Sequence, residues 1–355
     1  MSSLAALAIA LSACGAPSNP EPRSASSAPA ILTPTLTPIG SAPPGRWRRY
    51  VAGDDGRRAD VYVANDEKLK PVVVLLHGGG LPCPPDFTVE SDGNLRETSV
   101  FQDAIATSLS RVHFAVVERP GIEPLVFTAG MTDAEKRAAF ARAERNCGNE
   151  YFMTSTKPNR VADAIAAIRA LSQQPWAREI LLAGHSEGTL VVTGILRELG
   201  NLKITAAGLF ASMGPIRYFC GYASRGQGDY ERFNRTVEQM QMLQRADDDF
   251  IWDGLPARRW KTFWLGSTPI EDVRDSPVPL FVSQGTRDDT TLCSDLFVLE
   301  AIRQQPLRPV RYVVVDQGNH AFETPDGRWR VSELFEEFLD WSLDGNRQTH
   351  VSVLR

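Results

Sequence analysis

Long apolar runs are missing from this chain. No stretch approaches the roughly 18 residues that a membrane-spanning helix needs, so no segment is read as crossing a bilayer. Charge runs are missing too. The 38 Lys and Arg and the 43 Asp and Glu are scattered, and a net charge of −5 leaves no basic stripe. Nucleic acid is therefore not an expected partner. Histidine and cysteine are scarce, with five of each. They form no cluster with metal-ligand spacing, so neither a metal nor a cofactor is expected. The scarcity of histidine has a use: a catalytic base can be sought by elimination.

What is present suits a large α/β domain. A chain of 355 residues with 43% hydrophobic content can fold as one such domain with an inserted cap, or as two domains. Arg46 to Tyr50 and Ala59 to Ala64 read as a strand pair around a Gly-Asp-Asp-Gly turn. Pro71 to His77, Val112 to Glu118, Lys203 to Ser212, Val278 to Ser283 and Val310 to Val315 read as buried strands. Helices are expected near 96–110, 133–145, 159–173, 291–304 and 330–342, the remainder of 122–158 being irregular. Strands alternating with helices imply a mostly parallel sheet covered on both faces, with sites at the carboxyl ends of strands. Residues 213 to 276 interrupt the alternation and carry ten aromatics between Tyr218 and Trp264. They occupy the place of a cap, and their aromatics suit either a pocket lining or the insert's own core.

Gly184-His185-Ser186-Glu187-Gly188 is the most informative stretch. Arg178 to Ala183 before it reads as a buried strand, and Thr189 to Leu199 after it reads as a helix ending at Gly200. A G-x-S-x-G pentapeptide between a strand and a helix is the setting of a nucleophile elbow. The small flanking residues permit a strained turn, and the helix N-terminus favours developing negative charge.

A serine hydroxyl is a weak nucleophile until a base takes its proton. His77 adjoins a glycine loop, His185 neighbours the serine and is read as pointing elsewhere, His113 starts a strand, and His350 lies in the C-terminal tail. His320, directly after a strand, is left as the base. The carboxylate that orients it falls in Gly285-Thr286-Arg287-Asp288-Asp289, also after a strand. Asp288 is the choice and Asp289 the reserve. The oxyanion donors are expected to be the backbone N–H groups of Glu187 and of Gly79, or Gly80, in His77-Gly78-Gly79-Gly80.

In their order and placement, His77 to Gly80, Glu118 to Gly121, Gly184 to Gly188, Asp288 and His320 resemble the α/β-hydrolase superfamily over residues 46 to 345. The resemblance implies an α/β-hydrolase fold: a mostly parallel central sheet, helices on both faces and a cap inserted at about 213–276. Glu118-Arg119-Pro120-Gly121 looks like a turn that is structural in many members. The glycine loop is similar to that of hormone-sensitive-lipase-like esterases. Those carry Asp before the nucleophile and Ala after it, where this chain has His185 and Glu187. The Glu187 carboxylate has two open readings: it meets a cationic or hydroxylated substrate group, or it pairs with an arginine.

The N-terminus differs in kind. Leu4 to Ala13 is apolar and runs into Leu11-Ser12-Ala13-Cys14-Gly15, which resembles a signal peptide followed by a bacterial lipobox, although no Lys or Arg precedes it. Residues 1–14 are thus expected to be a signal segment with Cys14 lipidated. Residues 15–45, rich in Pro, Ala, Ser and Thr, are expected to be a disordered tether. The implied location is the cell envelope, after export, with the membrane contacted by the lipid anchor alone. Four further cysteines allow three disulfide connectivities. Cys83–Cys147 with Cys220–Cys293 would pin long loops near the site; the alternative is four buried thiols.

The function expected from these residues is ester hydrolysis through a Ser-His-Asp acyl-enzyme. A prolyl-oligopeptidase-like peptidase or aminoacyl-amide hydrolase is the alternative, and a non-catalytic anchored binding protein the remote one. The partner in either enzymatic case is a small-molecule ester or amide. For the anchor, radiolabelled palmitate should enter the exported protein and be lost in Cys14→Ser; equal labelling of the two would overturn the lipobox reading.

Overall fold

The structure is a computed structural model that describes residues 35–38, 47–54, 57–79, 83–143, 147–212, 230–345 and 347–355. The chain opens with β1 (Thr35–Pro38), β2 (Trp47–Asp54), β3 (Arg57–Ala64) and β4 (Lys70–Leu76). Short strands β5 (Phe87–Val89) and β6 (Leu95–Glu97) precede helix α1 (Gln102–Ser108) and β7 (His113–Val117). After β8 (Leu125–Val126) come helices α2 (Asp133–Ala143), α3 (Asn149–Thr154) and α4 (Lys157–Ser172). Then follow β9 (Ala177–His185), α5 (Glu187–Arg197) and β10 (Ile204–Phe210). The hairpin β11 (Ile251–Trp252) and β12 (Leu255–Pro256) lies in the insert, and β13 (Leu280–Gly285), β14 (Val310–Val315) and β15 (His350–Leu354) complete the strands.

Ten strands form one sheet in the order β1-β2-β3-β7-β4-β9-β10-β13-β14-β15. β1, β2 and β3 are antiparallel, and from β7 onward neighbouring strands run parallel. The continuous apolar runs are explained by burial on both faces. Val72, Val74 and Leu76 of β4 join a core with α4 and α5, while Val73 and Leu75 face a second core with α1 and the helix Val331–Leu343. The same alternation splits Ile180 and Leu182 from Leu181 and Ala183 in β9.

Three expectations are corrected. The stretch 15–45 is not all tether, because Thr35–Pro38 pairs with β2 and Leu36 packs on the core. The sheet does not end with residue 345, because β15 pairs in parallel with β14. Both are edge strands whose pairing is carried by backbone groups, so side-chain patterning does not announce them. The helix expected over 96–110 is shorter, its start being taken by β6. Cys14 and the signal segment lie outside the described residues.

Between β10 and β13 the described part of the insert comprises the helix Tyr230–Arg245, the β11–β12 hairpin, the helix Ala257–Trp260, a π turn at Lys261–Leu265 and the helix Pro269–Asp272. Trp252, Trp260 and Trp264 pack on one another with ring centroids 4.4 to 5.4 Å apart. These aromatics serve the insert's own core. A small cluster joins that core to the segment before α4 through Ile122, Tyr151, Leu255 and Trp260.

Cys83 and Cys147 form a disulfide, with Cα atoms 5.8 Å apart, inside this cluster. The other expected pair includes Cys220, which lies outside the described residues; Cys293 is buried and disulfide-bonded. Closing a loop that spans 64 residues contributes roughly 4 kcal/mol in the chain-entropy picture. Cys83→Ser/Cys147→Ser should therefore unfold at clearly lower urea concentration, and an unchanged midpoint would show that the pairing adds nothing.

Candidate active site

β9 delivers its buried residues to the carboxyl edge of the sheet, and the chain then turns directly into α5. Ser186 sits in that turn with φ +54° and ψ −124°. Such a backbone costs a residue with a Cβ about 1–3 kcal/mol. Its neighbours must be glycine for steric reasons. A Cβ on Gly184 would lie 2.6 Å from the carbonyl of Gly188, and one on Gly188 would lie 1.9 Å from the carbonyl oxygen of Leu76.

The structure brings Ser186, His320 and Asp288 together. Ser186 Oγ is 2.9 Å from His320 Nε2, and His320 Nδ1 is 2.7 Å from Asp288 Oδ2. A carboxylate can only accept, so the network assigns the ring proton to Nδ1 and leaves Nε2 to accept from the serine. Asp288 Oδ1 accepts from the N–H of Thr290 at 3.0 Å and from its hydroxyl at 2.9 Å. Burial pushes the Asp288 carboxyl up, but the His320 and Thr290 hydrogen bonds together hold it below the usual range. Asp288 is buried and Asp289 exposed, which decides between them. The loops carrying acid and base are packed together: a Cβ on Gly285 would meet the Gly318 carbonyl oxygen at 2.3 Å.

His185 does not point away as expected. Its Nε2–H donates to the backbone carbonyl of His320 at 3.0 Å, and the two rings lie 5.1 Å apart. Burial, with the charge of His320 adding to it, pulls His185 down to about 4, so it is neutral at pH 7.

The glycine loop lies against the elbow. A Cβ on Gly78 would sit 3.3 Å from Ser186 Cβ and 3.8 Å from the Glu187 nitrogen. Gly79 is pressed onto the Glu187 side chain, where a Cβ would be 2.2 Å from Oε1. Gly80 lies outside the described residues. The Glu187 carboxylate is buried and takes the arginine reading: Arg160 Nη1 donates to it at 2.8 Å, and Arg259 Nη2 at 2.7 and 2.8 Å.

Behind the loop is a charged layer that sequence reasoning missed. His77 Nδ1 is 2.7 Å from Asp86 Oδ1, and its Nε2 is 2.8 Å from Glu97 Oε1, without hydrogen-bond alignment. Arg119 Nε donates to Asp86 at 2.9 Å. Burial pushes Asp86 up, yet Arg119 and His77 outweigh it and hold the carboxylate far below its usual range. Burial pulls His77 down, but Asp86 first and then Glu97 raise it to about 9. The signal available in the sequence was faint: Arg160 lies in the first turn of α4, among buried positions that include Val161, Ala164 and Ile165, so a charge sits on the core face.

His77 is charged in the folded protein and has an ordinary value of 6.5 when unfolded. Its contribution to stability is complete below pH 6.5 and is lost as pH rises through about 9. Glu118, raised by burial to about 8, adds a loss of the same sign from its ordinary 4.5 upward. Urea midpoints should fall between pH 6.5 and 9 more steeply for wild type than for His77→Gln. Parallel pH profiles for the two would show that His77 carries no extra proton in the fold.

No protein-family model matches the chain, and no curated protein matches it. Solved structures do. Est1E from Butyrivibrio proteoclasticus superposes with a TM-score of 0.51 at 13% identity, over 83% of this chain and 98% of that one. A puromycin-hydrolyzing peptidase of Mycobacterium tuberculosis gives 0.52 at 18% identity, over 87% of this chain and 41% of the peptidase. The acylaminoacyl peptidase of Pyrococcus horikoshii gives 0.54 at 13%, over 89% and 43%. The chain thus spans less than half the length of either peptidase. At these identities the likeness is one of architecture, and that architecture, a large mostly parallel sheet flanked by helices, is the α/β-hydrolase fold.

Proposed function

We propose that this protein is a serine hydrolase that cleaves carboxylic esters through an acyl-enzyme. The observation that carries the reading is the continuous relay Ser186–His320–Asp288, at 2.9 and 2.7 Å, with the serine on a strained elbow. Ser186 Oγ attacks the carbonyl carbon while His320 Nε2 takes its proton. The N–H groups of Glu187 and Gly79 hold the oxyanion, each such donor being worth about 3–4 kcal/mol in the transition state. As the C–O bond to the leaving group breaks, His320 returns the proton to the departing alcohol. Water, deprotonated by His320, then releases the acid and restores the serine.

Structural neighbours include an enzyme solved with ferulic acid bound, Est1E, as well as the peptidases. One observation favours the ester. Peptidase chemistry that recognises a substrate amine needs a free carboxylate, and Glu187, beside the nucleophile, is committed to Arg160 and Arg259. An aminoacyl-amide hydrolase is the second reading, supported by the two peptidase neighbours. In the same proposal the insert at about 213–276 acts as the cap over the acyl pocket, and Cys14 anchors the exported enzyme to the cell envelope.

The test is hydrolysis of p-nitrophenyl esters from acetyl to palmitoyl by wild type and Ser186→Ala together. Wild type should turn over with a chain-length optimum, and the variant should lose roughly 10⁴- to 10⁶-fold in kcat with its urea midpoint retained. Turnover that survives in Ser186→Ala would overturn the elbow assignment. A hundredfold preference for aminoacyl amides over esters would replace the esterase with the peptidase. A wild type that resists a fluorophosphonate probe at Ser186 would favour a non-catalytic binding protein.

A further inference from the structure

Three guanidinium groups lie buried behind the glycine loop, and the chemistry above uses none of them. Arg119, Arg160 and Arg259 are 2%, 5% and 0% exposed. A buried guanidinium is tolerated only where fixed acceptors replace water, so the identity of the acceptors is informative. Two of them are consecutive carbonyls of the loop. Arg160 Nη2 donates to the His77 carbonyl at 2.6 Å, and Arg119 Nη1 donates to the Gly78 carbonyl at 3.0 Å.

In a trans peptide the C=O and N–H of one plane point in opposite directions. Holding the His77 carbonyl therefore holds the Gly78 N–H, and holding the Gly78 carbonyl holds the Gly79 N–H. Neither of these N–H groups has a hydrogen-bond partner among the described residues. Glycine peptides have no side chain to restrain them, so the two arginines supply the restraint. Arg160 does more, since its other nitrogen, Nη1, binds Glu187, the residue whose own N–H follows the nucleophile. One planar fork thus spans the two segments that provide the oxyanion donors.

We propose that Arg160 and Arg119 are positioning residues for the oxyanion site: they fix the peptide planes of the His77–Gly79 loop, and Arg160 ties that loop to Glu187. The proposal rests on the serine-hydrolase reading. Both arginines are buried behind the loop, out of reach of a substrate at Ser186, so their loss should weaken the transition state and leave ground-state binding alone.

The experiment compares wild type, Arg160→Lys, Arg160→Met and Arg119→Lys in the full chain. Lysine keeps the charge beside Glu187 or Asp86 but cannot span two acceptors as a planar fork does, and it carries the test where the methionine variant fails to fold. The readouts are kcat and KM on one p-nitrophenyl ester, and the affinities of a trifluoromethyl ketone and of its secondary alcohol. The ketone forms a bond to Ser186 and an oxyanion; the alcohol cannot. Folded variants should lose about 10- to 100-fold in kcat with KM nearly unchanged. The ketone should weaken by a similar factor while the alcohol binds as before. Unchanged kcat, or equal weakening of ketone and alcohol, would overturn the positioning role. A wild type without Ser186-dependent turnover would bring down the hydrolase reading and this proposal with it, an outcome distinct from an active wild type whose lysine variants are equally active.

Discussion

The close approach of α5 to the end of β4 is the constraint on which the site depends. Leu190, Val191, Val192, Ile195 and Leu196 are all buried in the core that α5 shares with the sheet and α4. Each contributes about 1.5–3 kcal/mol of apolar burial, so the helix is driven down harder than the 1–3 kcal/mol of strain at Ser186 can resist. The contact this produces is closer than any side chain allows, which is why Gly188 faces the Leu76 carbonyl. β4 and β9 are neighbours with Leu76 opposite Gly184. The same approach therefore sets the serine beside Gly78 and brings the loop after β4 onto the elbow. Ser186 and the glycine loop are placed by core packing, and their geometry inherits the stiffness of that core.

Packing alone would leave an electrostatic conflict. Glu187 suits the positive end of α5, but in the proposed hydrolase a carboxylate beside Ser186 would oppose the negative charge that develops on the substrate oxygen. Two guanidinium groups on one carboxylate reverse the local sign. Burial pulls Arg160 down, Glu187 and then Tyr151 push it the other way, and the neighbouring Arg119 and Arg259 leave it below its ordinary value. Glu187 thus lets Arg160 and Arg259 share one buried region, with Asp86 answering for Arg119, and in the proposed hydrolase the two arginines offset the charge of Glu187. Low local dielectric strengthens each of these contacts and makes the removal of any single partner costly.

The sequence exposed the parts of this arrangement that are local. Ser186, Asp288 and His320 each follow a strand with a strong apolar pattern, so their placement at one sheet edge could be read from spacing alone. The spacing from Gly285 favours Asp288 and leaves Asp289 in reserve, because both occupy the same turn; burial and the bond to His320 separate them. His185 was misjudged, since the direction of a side chain at a strained turn is not given by its position. The arginine layer was illegible for another reason: Arg160, Arg119 and Arg259 meet partners 27, 33 and 72 residues away. Such pairings have no periodicity. The edge strands β1 and β15 were missed because exposed edge residues carry little hydrophobic signal, and β15 pairs through its backbone.

Arg259 shows how the insert enters this balance. It comes from the short helix Ala257–Trp260, yet its guanidinium reaches the carboxylate beside the nucleophile. The remaining faces of that group meet Phe263 at 4.7 Å and Tyr151 at 5.6 Å, so π surfaces stand in for part of the lost water. Withdrawing the insert would strip Glu187 of one cation and expose the cluster that contains Trp260 and the Cys83–Cys147 bond. Breaking a buried ion pair from one side costs about 3–5 kcal/mol, which opposes any such withdrawal. The described part of the insert is therefore held in place by the same carboxylate that follows the nucleophile. In the proposed hydrolase, motion that admits substrate would arise elsewhere than at Arg259, because displacing that residue would disturb the side chain that follows Ser186.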